Sequence, residues 1–209
     1  RCNTTHQLFE IPALVKKYPR GEQFSKKAFY QFNTQDTIEW FAERGVELHA
    51  ESDGRMFPIS NNSSTIIECL LKEADQYHVN IEMQTEVKKI TKLETQFQIE
   101  TNKLGVIQAD YICIACGGLP KLDMFNWISK MGHPIQSPVP SLFTFNMPKH
   151  PITALMGLSV NNAVIKISGT KLKEQGALLI THWGLSGPVV LKLSAWGARQ
   201  LADMNYQFS

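Results

Sequence analysis

The chain is 209 residues long, 43% hydrophobic and 19% charged, with a formal net charge of +2. That is the profile of a globular chain able to bury a core; it gives no global charge to argue for nucleic acid or an anionic membrane, and no apolar run of about 18 residues to cross a bilayer. Four scattered cysteines, Cys2, Cys69, Cys113 and Cys116, do not form a secreted disulfide framework, and no signal peptide is legible, although the chain opens on Arg1 rather than Met; a cytoplasmic protein is expected.

Leu8, Ile11, Leu14 and Val15 recur at helical spacing until Pro19 and Gly21 end the run. Phe24, Ala28 and Phe32 make a second helical stripe, and Ile38, Phe41 and Ala42 a third, closed by Gly45. A short strand over 46–50 follows. Thr65 with Glu68 fits a capping box for a helix whose face is Ile66, Ile67, Leu70, Leu71 and Ala74. From Val79 the period becomes that of strands: Ile81 and Met83, Val87 and Ile90, Phe97 and Ile99, Val106 and Ile107. The continuously apolar run Tyr111 to Cys116 predicts a strand covered on both faces of a parallel sheet, broken by Gly117-Gly118. This order predicts a doubly wound α/β domain carrying a β excursion. Prolines at 134, 138, 140 and 148 mark passage into a small β-rich domain with one helix starting near Pro188 and a strand over 206–209.

Four clusters could carry chemistry. Arg1-Cys2-Asn3-Thr4 precedes the first helical run, so Asn3 or Thr4 is a helix cap, or the helix N-terminus with Arg1 receives a phosphate. Asp53 to Pro58 is a turn followed by an extended X-Pro segment, either structural or a mount presenting Arg55 to an anion. Ile114 to Gly118 is a strand end where glycines let a ligand approach. It includes Cys113-x-x-Cys116, but residues three apart on a strand lie about 10 Å apart on opposite faces, beyond disulfide reach, so both thiols are expected free. Thr181 to Pro188 is a glycine-rich turn before a helix, structural or ligand-facing; it lacks the last glycine of a nucleophile elbow. The histidines show no metal-ligand spacing, so no metal is expected, and no complete Gly-x-Gly-x-x-Gly occurs.

In this order and spacing the clusters resemble the BaiN/RdsA-type NAD(P)/FAD-dependent oxidoreductases, which include enzymes described as aminoacetone oxidases. Arg1 to Thr4 looks like the tail of that family's Gly-Gly-Gly-Arg-Cys-Asn-x-Thr segment, and Gly54-Arg55-Met56-Phe57-Pro58 is similar to its Gly-Arg-x-Phe-Pro. Ile114 to Gly118 matches its Ala-Thr-Gly-Gly strand end, with Cys116 in place of threonine, while residues 157–163 and 181–188 resemble two signatures of its second domain.

The resemblance implies an α/β fold: a partial Rossmann-like FAD-binding domain over residues 1–138 and a partial inserted β-barrel-like domain over 139–209. It places the dinucleotide fingerprint before Arg1, and a helical insert and a return segment after Ser209. It implies FAD, bordered by Arg1, Cys2, Asn3, Thr4, Ala115, Cys116, Gly117 and Gly118, with Val87 at the adenine and Arg55 and His182 on the substrate side. NAD(P)H is the implied electron donor. The implied activity is a small-molecule flavin oxidoreductase, the alternatives being a flavin-dependent reductase acting on RNA and a non-catalytic binding domain; nucleic acid therefore stays open as a partner. After Gly117-Gly118 the chain departs from longer-looped members by running almost directly into a helix at 123–131.

Overall fold

The computed structural model describes residues 2–119 and 121–209, so Arg1 lies outside the described residues. The chain divides into two compact units, Arg1–Met83 and Gln84–Ser209; the sequence boundary at 138/139 falls inside the second.

In the first unit, β1 (Thr5–His6), α1 (Ile11–Val15), α2 (Glu22–Phe29), α3 (Thr34–Ala42), β2 (Leu48–Ala50), β3 (Arg55–Pro58) and α4 (Ser63–Gln76) follow in order. β3 is the centre of an antiparallel sheet of order β1-β3-β2. α1 starts later than the Leu8 periodicity suggests, with Pro12 in its first turn, where proline suits a helix start but cannot continue a helix from upstream. α3 carries a capping box: Asn33 Oδ1 accepts from the Gln35 and Asp36 N–H groups at 2.7 and 3.4 Å, and Asp36 Oδ2 accepts from the Asn33 N–H at 2.7 Å. α4 is capped by Asn62, which accepts from the Ser64 N–H at 3.0 Å, and not by Thr65; Thr65 already lies in the first turn and pairs with Ser60 Oγ at 2.6 Å. Phe41, Val46, Ile66 and Cys69 form the buried core, with Cys2, Trp40 and Leu48 packed against it. Arg44 joins α3 to α4: its guanidinium lies 3.8 Å from the Trp40 ring centre, and its Nε sits 2.7 Å from Glu73 Oε2 in a close but poorly aligned ion pair.

The second unit opens with the meander β4 (Val87–Lys92), β5 (Phe97–Thr101) and β6 (Val106–Ala109). A 3-10 turn at Leu122–Phe125 leads into α5 (Asn126–Lys130). β7 (Phe145–Asn146), β8 (Ser159–Lys166), β9 (Lys173–Thr181) and β10 (Gly184–Ser186) then build an antiparallel sheet of order β7-β10-β9-β8. α6 (Pro188–Asp203) packs across β8, β9 and β10. Its buried residues Val189, Val190, Leu193, Ala198 and Leu201 recur on one stripe, and with Phe145 and Ile167 all but Ala198 make the core; each large side chain contributes about 1.5–3 kcal/mol on burial. Ser194, fully buried among them, is satisfied at both ends: its Oγ donates to Leu191 O at 2.8 Å and accepts from the Phe143 N–H at 3.0 Å.

Three expected strands are not formed. Ile81 precedes, and Met83 lies in, a turn in which Gln84 has φ of 56°, which breaks an extended run. Asn205 and Tyr206 are left-handed, at φ of 51° and 57°, so 206–209 is a tail and not a ladder. It is held by the Ser168 N–H donating to Ser209 O at 2.6 Å and by Phe208 edge-on to Phe145 at 4.9 Å. Residues 111–116 are the third case. They lie in no strand and are largely exposed, with Tyr111 at 91%. A parallel strand depends on hydrogen-bonded neighbours and covered faces, and among the described residues every sheet is antiparallel and closes without this segment.

Candidate functional site

Two of the clusters, far apart in sequence, lie side by side in the first unit. Thr5 pairs with Met56 and His6 with Arg55, and the Thr4 N–H donates to Met56 O at 2.9 Å. Cys2 to Thr4 therefore enters a strand, so neither Asn3 nor Thr4 caps a helix and no helix N-terminus is presented there. With its amide oriented to satisfy both neighbours, Asn3 donates to Met56 O at 3.3 Å and to Thr5 O at 3.0 Å. The Thr4 hydroxyl reaches Cys2 O at 3.4 Å. These contacts fix the backbone of 2–4 against β3.

Arg55 is half exposed and its charge is engaged by its own hairpin: Nε meets Asp53 Oδ2 at 2.7 Å and a terminal nitrogen meets Glu51 Oε2 at 3.2 Å. The Asp53 carboxyl is held below the ordinary carboxylate range, chiefly by the backbone N–H of Arg55, with the guanidinium adding to it. An anion arriving at Arg55 has to displace carboxylates already in place. His6, opposite Arg55, closes the turn, its Nε2 lying 3.1 Å from Asp53 O.

In the second unit, Ala115, Cys116, Gly117 and Gly118 lie in the exposed segment beyond β6. Gly117 has φ of 75°, and a Cβ built on either glycine would meet nothing within 4 Å. Contacts among the described residues thus give no reason for glycine at 118. Cys113 and Cys116 are free and exposed, as expected, although the geometry is not that of the strand from which the expectation came. Cys69 is free as well, and burial pushes its thiol up, with Glu73 adding to the shift.

The glycines of 181–188 behave oppositely. A Cβ on Gly184, at φ of 147°, would stand 2.2 Å from Phe145 O, and one on Gly187 would stand 2.8 Å from the Leu179 N. Their absent side chains are demanded by β7 and β9 passing close by, which favours the structural reading of this turn. Pro188 occupies the first turn of α6 and Gly187 caps it without a side chain. His182 is exposed at the β9–β10 turn, its ring edge-on to Trp183 at 4.5 Å. Val87, half exposed, pairs with Thr101 at the start of β4, where the register shifts before Lys89.

One feature escaped the sequence reading. A groove between β4 and α5 is lined by Lys88, Lys89, Lys92 and Lys130 together with Trp127. Three lysines within five residues of one predicted strand were its available signal. Among the described residues no group of three or more His, Cys, Asp or Glu could hold a metal, and no helix is long and apolar enough to cross a membrane.

Residues 1–190 match the family described as the HI0933-like protein Rossmann domain. The chain is also 28% identical over 215 residues to the ribosomal RNA dihydrouridine synthase of Escherichia coli (strain K12), across 98% of this chain and 52% of that protein. It is 30% identical over 205 residues to the ribosomal RNA dihydrouridine synthase of Haemophilus influenzae (strain ATCC 51907 / DSM 11121 / KW20 / Rd), across 92% of this chain and 49% of that protein. The chain thus spans about half the length of the curated relatives it matches. Both relatives are named for an activity on RNA, and neither for the aminoacetone oxidase activity that the resemblance also implied. The expected class, α/β with a Rossmann-like domain, holds. On a match covering residues 1–190, the chain belongs to the HI0933-like protein Rossmann domain family.

Proposed function

We propose that this chain is part of a flavin-dependent reductase that forms dihydrouridine in ribosomal RNA. The observation that carries the proposal is the alignment of 98% and 92% of the chain with two ribosomal RNA dihydrouridine synthases. Dihydrouridine differs from uridine by two hydrogens across one carbon–carbon double bond of the base. Its formation therefore takes a hydride at one carbon and a proton at the other, and consumes a two-electron donor, here a reduced nicotinamide. A bound FAD would supply the hydride-transfer chemistry.

The residues fit such a cofactor at one place in particular. Gly117 and Gly118 leave open space where a side chain would stand, so the backbone from Ala115 to Gly118 can approach a flat ring closely. Cys2, Asn3 and Thr4, fixed against β3, are proposed to border the flavin, and Val87 the adenine. Arg55 and His182 are proposed on the substrate side, Arg55 receiving a phosphate in exchange for its local carboxylates. No side chain is assigned as the proton donor.

The test uses the gene's complete product. Purified with its flavin, it is incubated with ribosomal RNA lacking the modification and with NADPH or NADH, and the digested nucleosides are weighed. A two-hydrogen mass gain on uridine is expected, at a defined site. A flavoprotein that oxidises small amines and leaves the RNA unchanged would overturn the proposal.

A further inference from the structure

The groove between β4 and α5 offers more than the cofactor site does. Its wall is four lysines against one carboxylate, Glu94, with the half-buried indole of Trp127 among them. The chain as a whole carries only +2, so this is a local concentration of charge, not a reflection of composition. Lys88, Lys89 and Lys92 all lie on the extended β4 strand, the outer two separated by about 13 Å along it, far enough to meet different phosphates. Lys88 is paired with Glu86 at 2.5 Å and Lys89 with Glu100 at 3.4 Å, but these are exposed pairs that a phosphate can replace at little cost. Lys92 and Lys130 have no ion pair among the described residues. A basic track beside an aromatic ring is the combination by which single-stranded nucleic acid is held without sequence readout, through phosphates on the cations and a base on the ring.

We propose that this groove binds a single-stranded segment of RNA, with phosphates on Lys92 and Lys130 and a base stacked against Trp127. The inference rests on the proposal that the substrate is RNA and places part of its binding outside the candidate cofactor residues. A duplex fits the groove's chemistry less well, because its bases are already stacked and Trp127 has no exposed face to take up.

The test is fluorescence anisotropy of a labelled, mixed-sequence single-stranded RNA of about a dozen nucleotides, in line with the several nucleotides such grooves cover. It is titrated with the 209-residue chain and with the complete product over a range of salt. Saturable binding is expected. Lys92→Gln/Lys130→Gln should weaken it at least tenfold and flatten the salt dependence by roughly 1.4 in log–log slope, the share of two phosphate contacts. Trp127→Ala should weaken it at least fivefold, while Trp127→Phe retains most of it. Lys16→Gln/Lys17→Gln makes the same charge change on exposed residues of the first unit and should leave binding unchanged; melting curves confirm that all variants fold. Equal loss in the Lys16/Lys17 control, equal affinity for duplex RNA or for polyglutamate, or wild-type affinity in the groove variants would each overturn the proposal. Dihydrouridine formation by the complete product is read separately. A groove that fails while modification persists sinks this inference alone, and lost modification with intact RNA binding sinks only the assigned reaction.

Discussion

At the scale of single residues, the glycines separate structure from candidate function. Gly184 has a backbone oxygen 2.2 Å from where a Cβ would be, so Gly184→Ala must push β7 and β10 apart. Overpacking of this kind costs about 1–3 kcal/mol, and the left-handed φ adds strain. Gly118 has neither a neighbour within 4 Å nor a positive φ. Gly118→Ala should therefore leave the unfolding free energy of the 209-residue chain, read from urea titration, within about 0.5 kcal/mol of the parent. In the complete product the same substitution should lower flavin per polypeptide, read from the visible absorbance after desalting. A Gly118→Ala protein with full flavin would remove the glycine pair from the proposed cofactor border. The sequence alone could not rank these glycines, because each sits in a turn-like run; their difference lies in what the rest of the chain brings close.

At the scale of elements, periodicity was a good guide where the forces are local. α4 lies where its apolar stripe places it, α6 starts at Pro188 as expected, and the β4–β5–β6 meander follows its alternation. The misjudged cap of α4 shows the limit. Thr65 with Glu68 has the right spacing, but Asn62 three residues earlier takes the capping role. The actual capping box, Asn33 with Asp36, is the stronger test of local control: Asp36 Oδ2 accepts from the Asn33 N–H at 2.7 Å and Asn33 Oδ1 accepts from the Asp36 N–H at 3.4 Å. Asn33→Ala should cost about 1 kcal/mol, seen as a lower urea midpoint with unchanged slope when Trp40 fluorescence on α3 is followed. A change in slope without a change in midpoint would mean that the cap acts on the compactness of the unfolded chain instead. Pairing between distant strands was not legible. His6 and Asp53 meet across 47 positions of sequence, and no pattern within either segment announces the other. The run 111–116 fails for the same reason in reverse: its apolar residues describe what a covered strand needs, while the ladder has to come from elsewhere.

At the scale of the whole molecule, binding of a dinucleotide depends on parts that act together. In a Rossmann-like site the pyrophosphate rests on a helix N-terminus, and a Gly-x-Gly-x-x-Gly turn lets the backbone approach it. The 13 glycines of this sequence nowhere complete that pattern. The candidate border residues Cys2 to Thr4, Val87 and Ala115 to Gly118 would touch the flavin and adenine ends, where contacts are mostly apolar or single hydrogen bonds. The pyrophosphate carries the charge and hence much of the specific attraction, and the alternative anchor, Arg55, is already engaged by Asp53 and Glu51. We therefore expect the 209-residue chain alone to show no saturable FAD binding at micromolar concentrations when flavin fluorescence is followed. The complete product should hold FAD through desalting. Two controls make the comparison decisive. Single-stranded RNA should still bind the 209-residue chain, because the lysine groove lies wholly within its second unit. FAD with the pyrophosphate replaced by a neutral linker should lose affinity for the complete product. Saturable FAD binding by the 209 residues would show that the charged centre of the ligand is met by residues other than a glycine fingerprint, with the exposed segment around Gly117-Gly118 the first place to look.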